Sequence, residues 1–185
     1  MERCRMVFSG AGGQGIITAA IVLAEAAVLY EGLIAVQSQS YGPEARGGAS
    51  RSDVIIADSD ILYPRVIQPN VLVCLTQEAY NTYYSIIRPG GLLLTDSRYV
   101  KTMSKINARQ IELPIHKTVM DHIGNHVVMN ICMLGTVAGL TGLVRPESIV
   151  RVLRTRVPEE FLEINQKALE LGLDLTGQHP VGSLH

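Results

Sequence analysis

The chain has 185 residues, 47% hydrophobic and 18% charged, with a formal net charge of -1. That length suits one compact domain that needs no disulfide staples, and the composition describes a globular protein with a large core, or one that also buries surface against a partner. Near-neutral charge without a long basic block leaves no electrostatic basis for binding nucleic acid or an anionic membrane.

In chain order, a first strand is predicted at Arg5–Phe8, running into the turn Gly10-x-Gly12-x-x-Gly15. A helix rich in Ala and Leu follows from Gln14 or Gly15 to about Tyr30 and stops at Gly32. A second strand, Ile34–Gln39, leads into the loop "SYGPEARGGAS", and a third is expected at Asp53–Ala57 with a turn over Asp58–Asp60. The fourth strand is Val71–Thr76, followed by a helix from Gln77 to about Ile87 that Pro89-Gly90-Gly91 ends, and Leu92–Thr95 is the fifth. This alternation predicts βαβ units and a mainly parallel sheet. Beyond Asp96 one more strand is expected at Ala108–Leu113, then helices at Ile115–Ile123, Val127–Gly139, Pro146–Val152 and Glu159–Leu171. The whole reads as a three-layer α/β/α, Rossmann-like domain over residues 1–175, with a helical C-terminal third and a tail at 176–185.

The stretch Val127–Val144 carries no charge and is about as long as a minimal membrane span. Asn130, three glycines and two threonines interrupt it, and it has no aromatic or basic anchors, so a buried helix is expected and no membrane association. Cys4, Cys74 and Cys132 are scattered without a C-x-x-C pair, which excludes a self-contained zinc or iron–sulfur site of ordinary spacing. With the apolar run after Met1 too short for a secretory signal, a cytoplasmic location is expected. His122 and His126 share i, i+4 spacing, and with His116 read as capping or core histidines ahead of metal ligands, so no metal site is assigned. Asp96 and Ser97 read as cap or turn residues, and Asn130 as a buried amide bonding a neighbouring backbone or subunit.

The glycine turn stands where a strand hands over to a helix, a place that exposes N–H groups beside the positive end of the helix dipole and suits a phosphate or carboxylate. Small residues there also serve simple helix–strand packing. A nicotinamide site demands an acidic residue at the end of strand two, and that strand ends in Val36-Gln37-Ser38-Gln39-Ser40, with Glu31 too early and Glu44 too late. Gly13 and Gln14 place an uncharged amide at the mouth of the turn, and the missing Gly-Lys-Ser/Thr excludes a Walker NTPase. The second loop leaves strand two at the ligand-facing end of the sheet. There Tyr41 offers a ring and a hydroxyl, Arg46 a planar guanidinium, and Gly42, Pro43, Gly47 and Gly48 the sharp bends around them, with Glu44 as a solvated neighbour. A plain surface turn is the simpler reading of the same residues.

"GAGGQGI", "SYGPEARGGASRSDVIIAD" (Ser40–Asp58), "VLVCLTQEAY" (Val71–Tyr80), "GGLLLTDS" (Gly90–Ser97) and "NHVVMNICMLGTVAGLTGL" together resemble the gamma subunit of 2-oxoacid:ferredoxin oxidoreductases, over nearly all the chain to about residue 170. The resemblance implies oxidative decarboxylation of a 2-oxoacid to an acyl-CoA with reduction of ferredoxin. It implies alpha and beta subunits, and in some members a ferredoxin-like delta part, as partners. Thiamine diphosphate, magnesium and iron–sulfur clusters would be held by those other subunits, with no catalytic residue and no cofactor on this chain alone. Gly10, Gly12, Gly13, Gln14, Gly15, Tyr41, Gly42, Pro43, Glu44, Arg46, Gly47 and Gly48 would then face coenzyme A or a subunit contact beside it. The 2-oxoglutarate type is favoured over the indolepyruvate and pyruvate types. Two further readings are a stand-alone dinucleotide-binding oxidoreductase and a small-ligand sensor or scaffold built on the same fold.

Overall fold

In the computed structural model, which describes residues 3–40, 49–103 and 105–177, the sheet has six short strands, the central ones apolar on both sides. The strands are β1 (Cys4–Gly10), β2 (Ile34–Ser40), β3 (Ser50–Ala57), β4 (Val71–Cys74), β5 (Gly91–Asp96) and β6 (Ala108–Leu113). Met6, Phe8, Val54, Ile56, Val73 and Leu94 face one core, and Val7, Ile55, Leu72 and Leu93 face the other. Strands covered on both faces lose the polar alternation of a half-exposed sheet, which is why "VLVC" and "GLLL" read as continuous apolar runs.

The helices α1 (Ile16–Tyr30), α3 (Ile115–His122), α4 (Met129–Thr141), α5 (Pro146–Arg156) and α6 (Glu159–Asp174) contribute to the larger core. The opposite face is covered by α2 (Gln77–Tyr83) and loop residues such as Val66, Val100 and Ile106. This is the three-layer α/β/α arrangement, with unequal outer layers. Tyr80 of α2 is fully buried, stacked on Tyr84 at 5.4 Å, with its hydroxyl accepting from Met103 N–H at 2.8 Å.

Strand order is β2-β3-β1-β4-β5-β6. The pairs β1–β4, β4–β5 and β5–β6 are parallel, whereas β3 runs antiparallel to both β1 and β2. The expectation of βαβ units throughout the first half is corrected here. Ser40 lies opposite Arg51, so the link over 41–49 closes a hairpin and is too short for the dozen or more residues of a parallel crossover. Strand β3 also begins at Ser50, ahead of the expected Asp53, because the polar residues Ser50–Ser52 pair with Phe8–Gly10.

The uncharged segment becomes a 3₁₀ turn at His126–Val128 and then α4, which is buried on nearly every side. Among the described residues, no helix is long and apolar enough to cross a membrane. Helix α4 packs tightly on α6: a Cβ on Gly135 would overlap the Leu169 carbonyl oxygen, and one on Gly172 the Cys132 carbonyl oxygen. Helices α5 and α6 run past the expected ends to Arg156 and Asp174. Of the expected tail, Thr176 is buried and its hydroxyl donates to the Leu173 carbonyl; residues 178–185 lie outside the described residues.

Glu31, which closes α1, accepts from Arg145 N–H at 3.0 Å and Ser148 Oγ at 2.6 Å at the start of α5. Burial pushes its carboxyl up, but these bonds and the Arg145 guanidinium outweigh it and hold the group below the usual carboxylate range. An anion at a helix N-terminus satisfies donors that have no intrahelical partner.

Because α4 and α6 meet backbone to backbone, Gly172→Ala is expected to cost about 2–3 kcal/mol, with no outward room for the added methyl. Urea unfolding of that variant beside the parent measures it, and an unchanged midpoint would contradict the packing described.

Candidate functional site

Strand β1 ends at Gly10 and α1 starts at Ile16, so five residues turn the chain from sheet to helix. The turn is braced from within: Gln14 Oε1 accepts from Ala11 N–H at 2.8 Å, and Gln14 N–H donates to the Ala11 carbonyl at 3.3 Å. The Gln14 carbonyl is therefore committed to the loop itself. Gly10 has no space for a side chain, since a Cβ there would meet Gln14 Oε1 and Ile16 Cδ1. Gly15 caps α1 with φ 69°, a left-handed conformation that favours glycine. Its carbonyl accepts from Asn130 Nδ2 at 3.2 Å, so α4 holds the turn from across the larger core. Gly12 has nothing within 4 Å of its Cβ position and stands open to solvent.

Beside this turn lies a cleft of about 370 Å³ bordered by Gly13, Gln14, Gly15, His116, His126 and Asn130, with Thr18, Tyr99, Val127 and Met129 completing it. The first turns of α1, α3 and α4 all reach it, and none of the three carries an acidic residue. No carboxylate borders the cleft among the described residues, and the N-termini of α1 and α4 face it without an acidic partner, so the cleft suits an anion. Asp96 is fully buried behind it. Its oxygens accept from Arg98 N–H at 2.8 Å and His116 N–H at 2.7 Å, so the expected cap role is what it plays, for the first turn of α3. This fixes His116, whose ring lies edge-on to Tyr99 at 5.1 Å and whose Nδ1 is buried with no hydrogen-bond partner among the described residues.

The register brings Ser40 and Ser50, the strand residues on either side of the second loop, to the same end of the sheet as the glycine turn. Gly10 pairs with Ser50, Ser40 with Arg51, and Ser9 Oγ donates to the Ser50 carbonyl at 2.9 Å. Tyr41, Gly42, Pro43, Glu44, Arg46, Gly47 and Gly48 themselves lie outside the described residues. Strand β3 fills the position next to β1 that β2 occupies in a dinucleotide fold, which moves the end of β2 one strand away from the glycine turn. Glu31 is engaged at the start of α5. Neither observation supports the dinucleotide reading.

Of the three histidines, His116 and His126 border the cleft, while exposed His122 turns its Nδ1 to the Thr118 carbonyl at 2.9 Å. Asn130 is the buried amide expected, and its backbone partner is Gly15. Sequence reasoning missed Tyr99 and Thr18. Tyr99 could have been found as an aromatic residue just past the carboxyl end of the fifth strand.

The cysteines do not form a cluster-binding set. Cys4 in β1, Cys74 in β4 and Cys132 in α4 are buried and free. Burial pushes the Cys4 thiol up to about 12 against the pull of Arg5 and Arg88, and raises Cys132 to about 12 with help from Asp96; Cys74 is raised by burial alone. Iron–sulfur ligation needs converging thiolates, and these thiols are neither.

The second and third glycines of the motif separate open surface from loop geometry. Gly15→Ala is expected to cost about 2 kcal/mol through its positive φ and its collision with the Asn130 amide. Gly12→Ala should change stability by less than about 0.5 kcal/mol. Denaturant midpoints for both variants provide the comparison, and equal losses would refute this account of the turn.

Residues 5–175 match the family described as pyruvate ferredoxin/flavodoxin oxidoreductase. The chain is 43% identical over 169 residues to 2-oxoglutarate synthase subunit KorC of Methanocaldococcus jannaschii, covering 90% of each chain. The crystal structure of the keto/oxoacid ferredoxin oxidoreductase gamma subunit from Geobacter sulfurreducens superposes with a TM-score of 0.87 at 43% identity, over 95% of this chain and 97% of that one. A chain of the 2-oxoglutarate:ferredoxin oxidoreductase from Magnetococcus marinus, solved with 2-oxoglutarate, coenzyme A and succinyl-CoA bound, shares the fold at a TM-score of 0.87 and 20% identity; 98% of this chain is covered and 32% of that one. The glycine turn and the strand framework that carries it thus belong to a chain of the pyruvate ferredoxin/flavodoxin oxidoreductase family.

Proposed function

We propose that the protein is the gamma subunit of a 2-oxoacid:ferredoxin oxidoreductase whose substrate is 2-oxoglutarate. The observation carrying this reading is the 43% identity to a 2-oxoglutarate synthase subunit across 90% of both chains. The reaction of the complex breaks the bond between the carboxylate and the keto carbon, releases carbon dioxide, passes two electrons to ferredoxin and joins the acyl group to the coenzyme A thiol. Thiamine diphosphate, magnesium and iron–sulfur clusters supply the carbanion and electron chemistry in alpha, beta and, where present, ferredoxin-like delta subunits. The complex works in the cytoplasm.

In this reading the chain binds and positions. The glycine turn and the loop over 41–48 form the coenzyme A side of the site or the subunit contact beside it. The cleft favours an anionic portion of coenzyme A because the N-termini of α1 and α4 border it without an acidic partner among the described residues. Gly10, Gly13 and Gly15 shape the turn, Gln14 braces it and Gly12 leaves room for approach. Arg46 is the guanidinium assigned to the anion, flanked by Tyr41, Gly42, Pro43, Glu44, Gly47 and Gly48.

Affinity purification of the chain from its native cell at low salt, with mass identification of what stays bound, is expected to recover two larger subunits. A panel of 2-oxoacids on that complex should then give 2-oxoglutarate the highest kcat/KM. Recovery of the chain alone with a bound nucleotide would overturn the subunit reading. In the purified complex, Arg46→Ala is expected to raise the coenzyme A KM about tenfold or to weaken retention of this chain, an effect on the order of 1.4 kcal/mol. Unchanged kinetics and unchanged retention would remove Arg46 from the site.

A further inference from the structure

Between β3 and β4, residues 61–68 run over the smaller-core face of the sheet and expose an unusual amount of apolar surface. Leu62 is 89% exposed, Ile67 69% and Tyr63 53%. The segment is nevertheless pinned to the sheet. Val66 is buried, its N–H donating to Asp53 Oδ2 and its carbonyl accepting from Arg51. Arg51 and Asp53 are themselves paired at 2.6 Å, and Arg51 lies over the Tyr83 ring. Two residues further on, Asn70 is tied to Arg5 by bonds in both directions, Asn70 N–H to the Arg5 carbonyl and Arg5 N–H to Asn70 Oδ1. The apolar side chains are held outward by a braced loop, at a cost in exposed surface that a partner would remove.

Beside them is a cleft of about 680 Å³ bordered by Arg5, Arg65 and Arg88 together with Tyr63, Ile67 and Gln68. Among the described residues no carboxylate borders it, and none of the three guanidiniums has an ion pair, ring contact or side-chain hydrogen bond. Three converging cations without counter-charge are unusual in a chain whose net charge is -1. Tyrosine and arginine around an apolar centre, with the charge unpaired until association, is the composition of a protein–protein hot spot. The cleft's charge selects an acidic partner and its rim selects an apolar one.

We propose that this face docks a larger subunit of the complex through one or more carboxylates that enter the Arg5, Arg65 and Arg88 cleft, while apolar side chains cover Leu62, Tyr63 and Ile67. The proposal rests on the gamma-subunit reading. It adds a second contact surface, separate from the glycine turn.

Hydrogen exchange of the wild-type chain, free and in the complex purified from the native cell, tests it without any substitution: residues 61–68 should be protected in the complex. Arg65→Glu combined with Arg88→Glu should weaken retention of the chain about tenfold or more, while Arg65→Lys with Arg88→Lys keeps most of it. The melting temperature of each free variant separates lost docking from lost folding. A complex that forms with residues 61–68 unprotected, or that retains the charge-reversed chain unchanged, overturns this inference and leaves the subunit reading standing. Saturable binding of pyrophosphate or ADP to the free chain, abolished by the charge reversal and accompanied by no protection in the complex, reassigns the cleft to a small anion. Recovery of the chain with no larger subunit overturns both readings.

Discussion

The rest of the molecule depends on where β3 sits. By pairing antiparallel with β1 on one side and β2 on the other, it sets Gly10 opposite Ser50 and Ser40 opposite Arg51. The glycine turn and the strand residues on either side of the second loop thereby meet at one end of the sheet. The same strand supplies Val54 and Ile56 to the larger core, Ile55 to the smaller, and Asp53 to the brace that fixes Val66. One strand thus couples the glycine turn, both cores and the exposed loop over residues 61–68. A register shift of a single residue would turn Val54 and Ile56 to the wrong face and part Gly10 from Ser50.

The helical C-terminal third also acts on the turn. Asn130, in an otherwise apolar helix, reaches the Gly15 carbonyl, and burial of its amide is tolerated because that bond is made. Its position is in turn set by the backbone contact of α4 with α6 at Gly135 and Gly172. Asp96 does the equivalent on the other wall, joining the end of β5 to the first turn of α3 and so orienting His116. Both devices place a polar group where the sheet meets a helix N-terminus. The cleft owes its electrostatic character to backbone dipoles more than to charged side chains.

Much of this was legible in the residues. Apolar runs bounded by Gly, Pro and Asp marked the strands, and the stretch rich in Ala and Leu that ends before Gly32 marked α1. The antiparallel insertion was not legible, because "DVIIA" is apolar enough for a parallel central strand and only the shortness of the preceding loop argues for a hairpin. Gln14 was read as a ligand for something outside, yet its carbonyl oxygen braces Ala11, a local bond that spacing alone cannot distinguish from an outward one. Tyr99 was passed over because it belongs to a turn without periodicity, and only the fold brings it to His116. Nothing in the sequence marks Leu62 and Ile67, since their exposure depends on the brace at Val66, formed with residues from another strand.

The position of β1 has a further consequence for how the chain is made. The strand pairs with Ser50–Ile56 and Val71–Cys74, both synthesised later. Until residue 74 has emerged, a strand apolar on both faces has no complete ladder to join, and α1 has no finished sheet to cover. Closure over such separations is slow compared with local helix pairing, and open strand edges invite pairing with other chains in the interval. Through that interval the sheet is unfinished, and the compact helices made after it serve as its cover.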